Sequence, residues 1–196
     1  MSPKKWVISP ENPAQSATIE CLLDGVLGPE RQYRGVYRLR AGGAHNLGMS
    51  FTACTGQSLI ATIRFWPVPS SHRVCLLGPL AVKPAYQRTG VGAALVMTGL
   101  GAALRSHIEK VFVVGHPSYY GRFGFRPARA NVGWIPEPVD RTCILVLNIA
   151  QPTVSLGAPM QKVWVRGLDD KRLNVLRATN SKRSGQRSVL AQSKAA

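Results

Sequence analysis

The sequence predicts a mixed α/β fold built around a central pair of parallel strands. Three observations carry that prediction. Two apolar runs, Val74–Val82 and Val111–Val114, flank a helix-length segment, Val91–His107; a helical crossover sets the strands it joins parallel. Upstream, Leu47–Cys54 and Leu59–Val68 are rich in β-forming residues and stand close enough across Thr55-Gly56-Gln57 to pair as a hairpin. Downstream, Cys143–Ile149 is one more clear strand run.

Taken in order, the chain opens on a short strand at Val7-Ile8. Asn12 before Pro13 is a helix start, with a side-chain acceptor at the cap and proline in the first turn. Ile19, Leu22, Leu23, Val26 and Leu27 then recur at helical spacing until Gly28-Pro29 stops them. A second helix is predicted over Glu30–Leu39, with Arg31, Arg34 and Arg38 on one solvated face. Pro67, Pro69, Ser70 and Ser71 mark a loop that holds His72. Val74–Val82 is apolar on both faces and therefore central, but Gly78-Pro79 interrupts it. Proline cannot donate to a ladder, so the strand is expected to splay there and leave backbone groups of Leu80–Val82 open to a ligand.

Beyond the splay, Pro84–Gly90 turns into the helix Val91–His107, with Val96, Leu100, Ala103, Leu104 and His107 on one face. Gly90, Gly92, Ala93 and Ala94 keep its first turn small. Gly99 and Gly101 each cost roughly 1 kcal/mol relative to alanine, so packing must hold this helix. After Val111–Val114, Pro117 starts a short helix carrying Tyr119 and Tyr120, closed by Gly124-Phe125. Weaker strand candidates follow at Gly133-Trp134-Ile135 and Val163-Trp164-Val165, and Leu173–Leu176 can form a helical turn. An apolar strand, a glycine-bearing turn and a helix start together form an anion site: N–H groups converge there and the helix dipole favours negative charge.

Composition narrows the classes. A chain of 196 residues with 45% hydrophobic content holds a sizeable core and is not disordered throughout. Cys21, Cys54, Cys75 and Cys143 stand far apart, so neither a zinc cage nor a disulfide framework is expected, and four buried thiols are. Residues 1–10 hold Lys4 and Lys5 without an apolar core, and no apolar run spans a bilayer, so the expectation is a cytoplasmic chain with no membrane contact. The net charge is +16, and residues 166–196 alone carry 8 basic and 2 acidic side chains. That excess suits polyanions, whether nucleic acid or a phosphorylated coenzyme. A domain over residues 1–165 followed by a basic, disordered tail over 166–196 is the expected division.

Gln87-Arg88-Thr89-Gly90-Val91-Gly92 resembles the Gln/Arg-x-x-Gly-x-Gly/Ala signature of the GNAT superfamily of N-acyltransferases. Its context agrees: a strand ending Leu80-Ala81-Val82 before it, a helix after it, and Tyr120-x-x-x-Gly124-Phe125 downstream. Gly78–Val82 taken with Gly115–Phe125 is closer still to the YhbS-like branch of predicted acetyltransferases, over about residues 6–150. The resemblance implies a GNAT-type acyl-CoA fold with splayed central parallel strands, and acetyl-CoA as cosubstrate. It implies that Leu80, Ala81 and Val82 pair with the pantetheine arm. Gln87, Arg88, Thr89, Gly90, Val91, Gly92 and Ala93 would hold the diphosphate. Arg88 and Arg122 either meet the other phosphate or are solvated.

The chemistry implied is direct attack of an amine on the thioester, with Tyr120 as the acid that protonates the leaving thiolate. Tyr119 is its rival. For the base, His116 at the end of Val111–Gly115 has a suitable intrinsic pKa; capping of the turn before Pro117, a bound water or an amine that arrives neutral are the alternatives. The acceptor amine is not named by any motif. A non-catalytic module that uses the basic surface on nucleic acid or ribosomes is the competing function, although no helix-turn-helix, RNP pattern or zinc finger is present. The glycine spacing does not fit a Rossmann dinucleotide site.

Overall fold

Asn12 accepts from the Ala14 N–H at 3.0 Å through its side chain and starts a 3-10 turn, Pro13–Gln15, that runs directly into the first helix. In the computed structural model, which describes residues 6–38, 40, 43–68, 71–128 and 139–149, that helix is α1 (Ser16–Leu27), preceded by β1 (Val7–Pro10). Its stripe Ile19, Leu22 and Leu23 is buried against Leu59 and Ala81, with Val26 and Leu27 at the margin. Gly28, at φ 85°, ends it in a conformation other residues adopt reluctantly.

The predicted helix over Glu30–Leu39 is not continuous. A 3-10 turn, Pro29–Tyr33, is followed by a single helical turn, α2 (Gly35–Arg38), with Arg34 extended between them at φ −68°, ψ 140°. Tertiary ties set the break. Arg31 turns back onto Glu20 and Asp24 of α1, and Arg34 donates to the Leu27 carbonyl at 3.0 Å. Arg31 is therefore buried and not on a solvated face.

Among the described residues the strands β1, β2 (Phe51–Thr55), β3 (Ser58–Val68), β4 (Ser71–Val82), β5 (Lys110–Val114), β6 (Arg126–Pro127) and β7 (Ile144–Asn148) form one sheet in the order β1-β2-β3-β4-β5-β7-β6. The predicted hairpin is β2–β3, with β2 shorter than the expected Leu47–Cys54 and β3 ending at Val68 as expected; β4 begins earlier than expected, at Ser71, so His72 lies exposed within a strand and not in a loop. β4 and β5 are the parallel pair, linked by α3 (Val91–Arg105) and matched only over Val74–Leu77 and Lys110–Val113. From Gly78 onward β4 keeps β3 and leaves β5, which is the predicted splay. Opposite β3 it carries one extra residue where Gly78 and Pro79, joined by a cis peptide, face Arg64.

α3 buries Val91, Leu95, Val96, Leu100 and Ala103. The predicted face fails at its end, since Leu104 is half exposed and His107 lies past the helix at φ 58°. The cost of Gly99 has a cause: a Cβ there would stand 2.3 Å from the Phe65 ring, so helix and strand meet through the bare backbone. Only Cys75 of the four thiols is buried; Cys21 is exposed, and Cys54 and Cys143 lie between. No described helix is long and apolar enough to cross a membrane, and no described His/Cys/Asp/Glu cluster could hold a metal ion. The predicted strands at Gly133-Trp134-Ile135 and Val163-Trp164-Val165, the turn at Leu173–Leu176 and the basic tail 166–196 lie outside the described residues.

Candidate active site

The end of β4 provides an open strand edge. Lys83 donates its N–H to the Ile60 carbonyl at 2.9 Å, so by the alternation of an antiparallel ladder the backbone groups of Ala81 face β3, and those of Leu80 and Val82 face away from it. Since β5 has already left, Leu80 and Val82 present that edge to the splay. Of the predicted trio, then, Ala81 contributes its buried side chain and not free backbone. The Val82 carbonyl is also engaged, accepting from the Gln87 amide at 3.2 Å. The Leu80 groups and the Val82 N–H are what a ligand strand would meet.

That same contact ties the strand to the turn. Gln87, Arg88 and Thr89 are exposed, with Thr89 donating its hydroxyl to the Tyr86 carbonyl at 2.6 Å. Arg88 holds φ 61° and Gly90 φ 91°, two left-handed residues that reverse the chain into α3. Gly90 caps that helix without a side-chain hydrogen bond, so the N–H groups of Val91, Gly92 and Ala93 have no cap acceptor. A Cβ on Gly92 would stand 3.1 Å from the Tyr119 hydroxyl and 3.3 Å from a Val82 methyl. Helix start, strand end and phenol thus meet around a glycine, and the arrangement fits a ligand with a diphosphate and an extended arm.

Both tyrosines come from α4 (Pro117–Tyr120). Tyr119 is half-buried, with the Arg122 guanidinium 4.1 Å above its ring. Tyr120 is buried, packed edge-on to Phe125 at 5.7 Å and over Gly115, where any Cβ would collide with its ring at 2.3 Å. Burial pushes the Tyr120 phenol well above the usual tyrosine range; Tyr119 adds to that, and Arg40 opposes it. Tyr120 is therefore a neutral O–H at any physiological pH, in electrostatic reach of a cation. His116 sits exposed at the start of α4, its Nδ1 2.8 Å from the Ser118 hydroxyl.

A layer not foreseen from sequence lies on the other side of Gly78. Arg64, at the bulge, is held by Glu11 through Nε and Nη2 and by Glu20 through Nη1 at 2.6 Å, with Glu11 also 3.0 Å from His45 Nε2. Burial works to depress the Arg64 pKa, but the hydrogen bonds it donates to Glu11 and Glu20 raise it overall. Trp66 donates its indole N–H to the Gly78 carbonyl at 2.7 Å and lies 5.4 Å from the His45 ring. Arg40 stacks on Tyr37 at 4.3 Å and nears Trp66 at 5.7 Å. A Cβ on Gly78 would stand 3.1 Å from Arg40 Nη2. No local spacing marks these residues; strand pairing and α1 bring them together.

Comparison with known proteins follows the same outline. Residues 20–125 match the model of the acetyltransferase (GNAT) family. The uncharacterized N-acetyltransferase YjhQ of Escherichia coli is 38% identical over 107 residues, 52% of this chain; the match spans 59% of that relative's length. The crystal structure of YhbS from Escherichia coli in complex with CoA superposes with a TM-score of 0.63 at 25% identity, covering 74% of this chain and 82% of that one. A GNAT family acetyltransferase from Brucella melitensis, in complex with acetyl-CoA, gives 0.59 at 26% identity over 76% and 90% of the two chains.

Proposed function

The chain belongs to the GNAT family of acetyltransferases, and from that premise we propose that it is an acetyl-CoA-dependent N-acetyltransferase acting on a primary amine. The observation that carries the proposal is the departure of β4 from β5 at Leu77, with an open edge leading straight to the uncapped start of α3. Acetyl-CoA supplies an activated thioester that the amine attacks directly, with loss of the thiolate. The Leu80 backbone groups pair with the extended arm. Gln87, Arg88 and Thr89 shape the turn, and the N–H groups of Gly90, Val91, Gly92 and Ala93 hold the diphosphate. The Val82 N–H polarises the carbonyl under attack.

Tyr120 donates the proton that the departing thiolate takes up. Burial keeps its hydroxyl protonated, and the nearby Arg40 charge eases its loss. His116 is the proposed acceptor of the amine's proton, and its exposed place at the head of α4 suits a group that exchanges protons with solvent. The division into an acetyltransferase domain, 1–165, and a basic tail, 166–196, belongs to the same proposal. A polyanion-binding role for that tail is the second reading, resting on the net charge of +16.

Coupled measurement of acetyl-CoA binding and CoA release against a panel of amines tests the assignment. Tyr120→Phe is expected to lower kcat roughly 100-fold or more while acetyl-CoA affinity changes little, the pattern of a lost general acid. Tyr119→Phe should leave most of the rate. The reverse pattern would transfer the role to Tyr119, and a fully active double variant would remove phenol acid catalysis.

A further inference from the structure

Three arginines are buried in the described part of this chain: Arg31, Arg64 and Arg40. The first two each have two carboxylates. Arg31 has Glu20 and Asp24; Arg64 has Glu11 and Glu20. Arg40, 8% exposed, has none among the described residues. Its Nε and Nη1 are buried without a hydrogen-bond partner, and so is the hydroxyl of Tyr37, the ring on which its guanidinium stacks. Burial, with Arg31 and Arg64 also working against the charge, pushes its pKa down to about 10, although Tyr37 pulls the other way; it stays a cation at neutral pH.

A buried guanidinium with unmet donors is expensive, and unpaired polar groups of this kind normally find an acceptor. The carboxylates among the described residues do not provide one: Glu109 holds Arg73, Asp140 caps its own turn, Glu30 lies exposed in the 3-10 turn after α1, and Glu11, Glu20 and Asp24 are taken by the other two arginines. The position of Arg40 points to where the acceptor comes from. Its Nη2 lies against Gly78, at the point where β4 begins to splay, and its charge is felt by the Tyr120 phenol on the far side of that splay. Tyr37 and Trp66 hold the guanidinium plane from two directions, so the fork is oriented before any ligand arrives.

We propose that Arg40, with the Tyr37 hydroxyl, forms the subsite for a carboxylate on the acceptor, so that the amine acetylated by this protein belongs to an amino acid or another short molecule bearing a carboxylate. This rests on the acetyltransferase reading above and specifies its second substrate. An arginine fork binds a carboxylate in plane with two parallel hydrogen bonds, and the low-dielectric surroundings strengthen that pairing. The anion completes a site that is otherwise a standing energetic loss, and it anchors the acceptor beside the transfer centre.

The test is a set of matched acceptors, amino acids and short peptides against their carboxamides, offered with acetyl-CoA to the full chain while CoA release is followed. The carboxylate member is expected to be favoured on the order of 10- to 100-fold in kcat/KM, the range of one charge-assisted pairing. Arg40→Met should reduce that ratio to near one, slowing the carboxylate member more than its carboxamide, with acetyl-CoA affinity kept; any slowing through Tyr120 is common to both members and cancels in the ratio. Thermal melting gives the second readout. Removing a cation with no internal partner should leave Arg40→Met at least as stable as the parent, whereas a structural arginine would lose stability. Equal use of both members by the parent, or an undiminished preference in Arg40→Met, would overturn the subsite while leaving the acetyltransferase reading in place. No acetylation of any amine would overturn both.

Discussion

Two side chains in the middle of the molecule, Cys75 and Tyr120, share a physical situation with different uses. Each is buried, and burial favours its neutral form, raising the Cys75 thiol to about 12 and pushing the Tyr120 phenol up as well. For Tyr120 the result is a neutral hydroxyl, as its proposed role of proton donor requires. For Cys75, fully buried on β4 next to the parallel partner Val111, the result is a stability term. The sign follows from linkage. A group whose folded pKa lies above its unfolded one stabilises the fold fully below the unfolded value and loses that contribution as pH rises toward the folded one. The unfolding free energy is therefore expected to fall above about pH 9, the ordinary thiol range, by up to about 1.4 kcal/mol per pH unit for this group. Cys75→Ala, less stable at pH 8 through lost packing, should show a shallower fall. The gap between the two proteins, followed by urea denaturation from pH 8 to 11, should narrow; a constant gap would dismiss the thiol as its source.

At the scale of elements, α3 and β4 do most to define the site. α3 is the longest described helix and has a glycine where alanine would favour helix formation by roughly 1 kcal/mol. The Phe65 ring occupies the space a methyl at Gly99 would need. Overpacking of this kind costs typically about 1–3 kcal/mol, more than the propensity gain. Gly99→Ala is thus expected to lower the denaturation free energy, and to displace the start of α3 relative to β4 enough to weaken acetyl-CoA binding. Gly99→Ala with Phe65→Leu should recover part of the stability; if the single variant proves more stable than the parent, the close contact does not govern this packing. β4 makes the complementary point. Its extra residue opposite β3 and its early departure from β5 follow from one dipeptide, Gly78-Pro79, whose proline offers no N–H to either neighbour.

For the whole molecule, the linked charges of Glu11, Arg64, Glu20, Arg31 and Asp24 join the segment after β1 and α1 to β3 and the 3-10 turn that follows α1. The inner pair, Glu11 with Arg64, is buried on both sides, at side-chain exposures of 1% and 6%. Arg64→Met leaves the Glu11 charge without its principal partner and is expected to destabilise the protein by about 3–5 kcal/mol. Converting both ends, Arg64→Met with Glu11→Leu, should regain most of that loss, since an apolar pair of similar volume carries no desolvation cost. Chemical denaturation of the two variants settles whether the pair acts as a unit; a double variant as weak as the single one would argue for independent roles.

Periodicity, glycine and proline were sufficient to place β1, α1, the β2–β3 hairpin, the β4 splay, α3, β5 and α4, because each is set by backbone sterics and by apolar residues a few positions apart. The turn Gln87–Gly92 before α3 was equally legible, since it and its flanks are contiguous. Long-range partners lay beyond that reach. Arg31 looked solvated because Glu20 and Asp24 lie back along the chain in α1, and the helix predicted through Glu30–Leu39 broke on those same contacts. Arg40 is one arginine among several in the sequence, and only folding buries it beside Gly78 with no carboxylate partner among the described residues. Local patterns thus wrote the proposed coenzyme side of this protein into contiguous residues. Its proposed acceptor side is assembled from residues far apart in the chain, because burial and charge pairing are properties of neighbours in space.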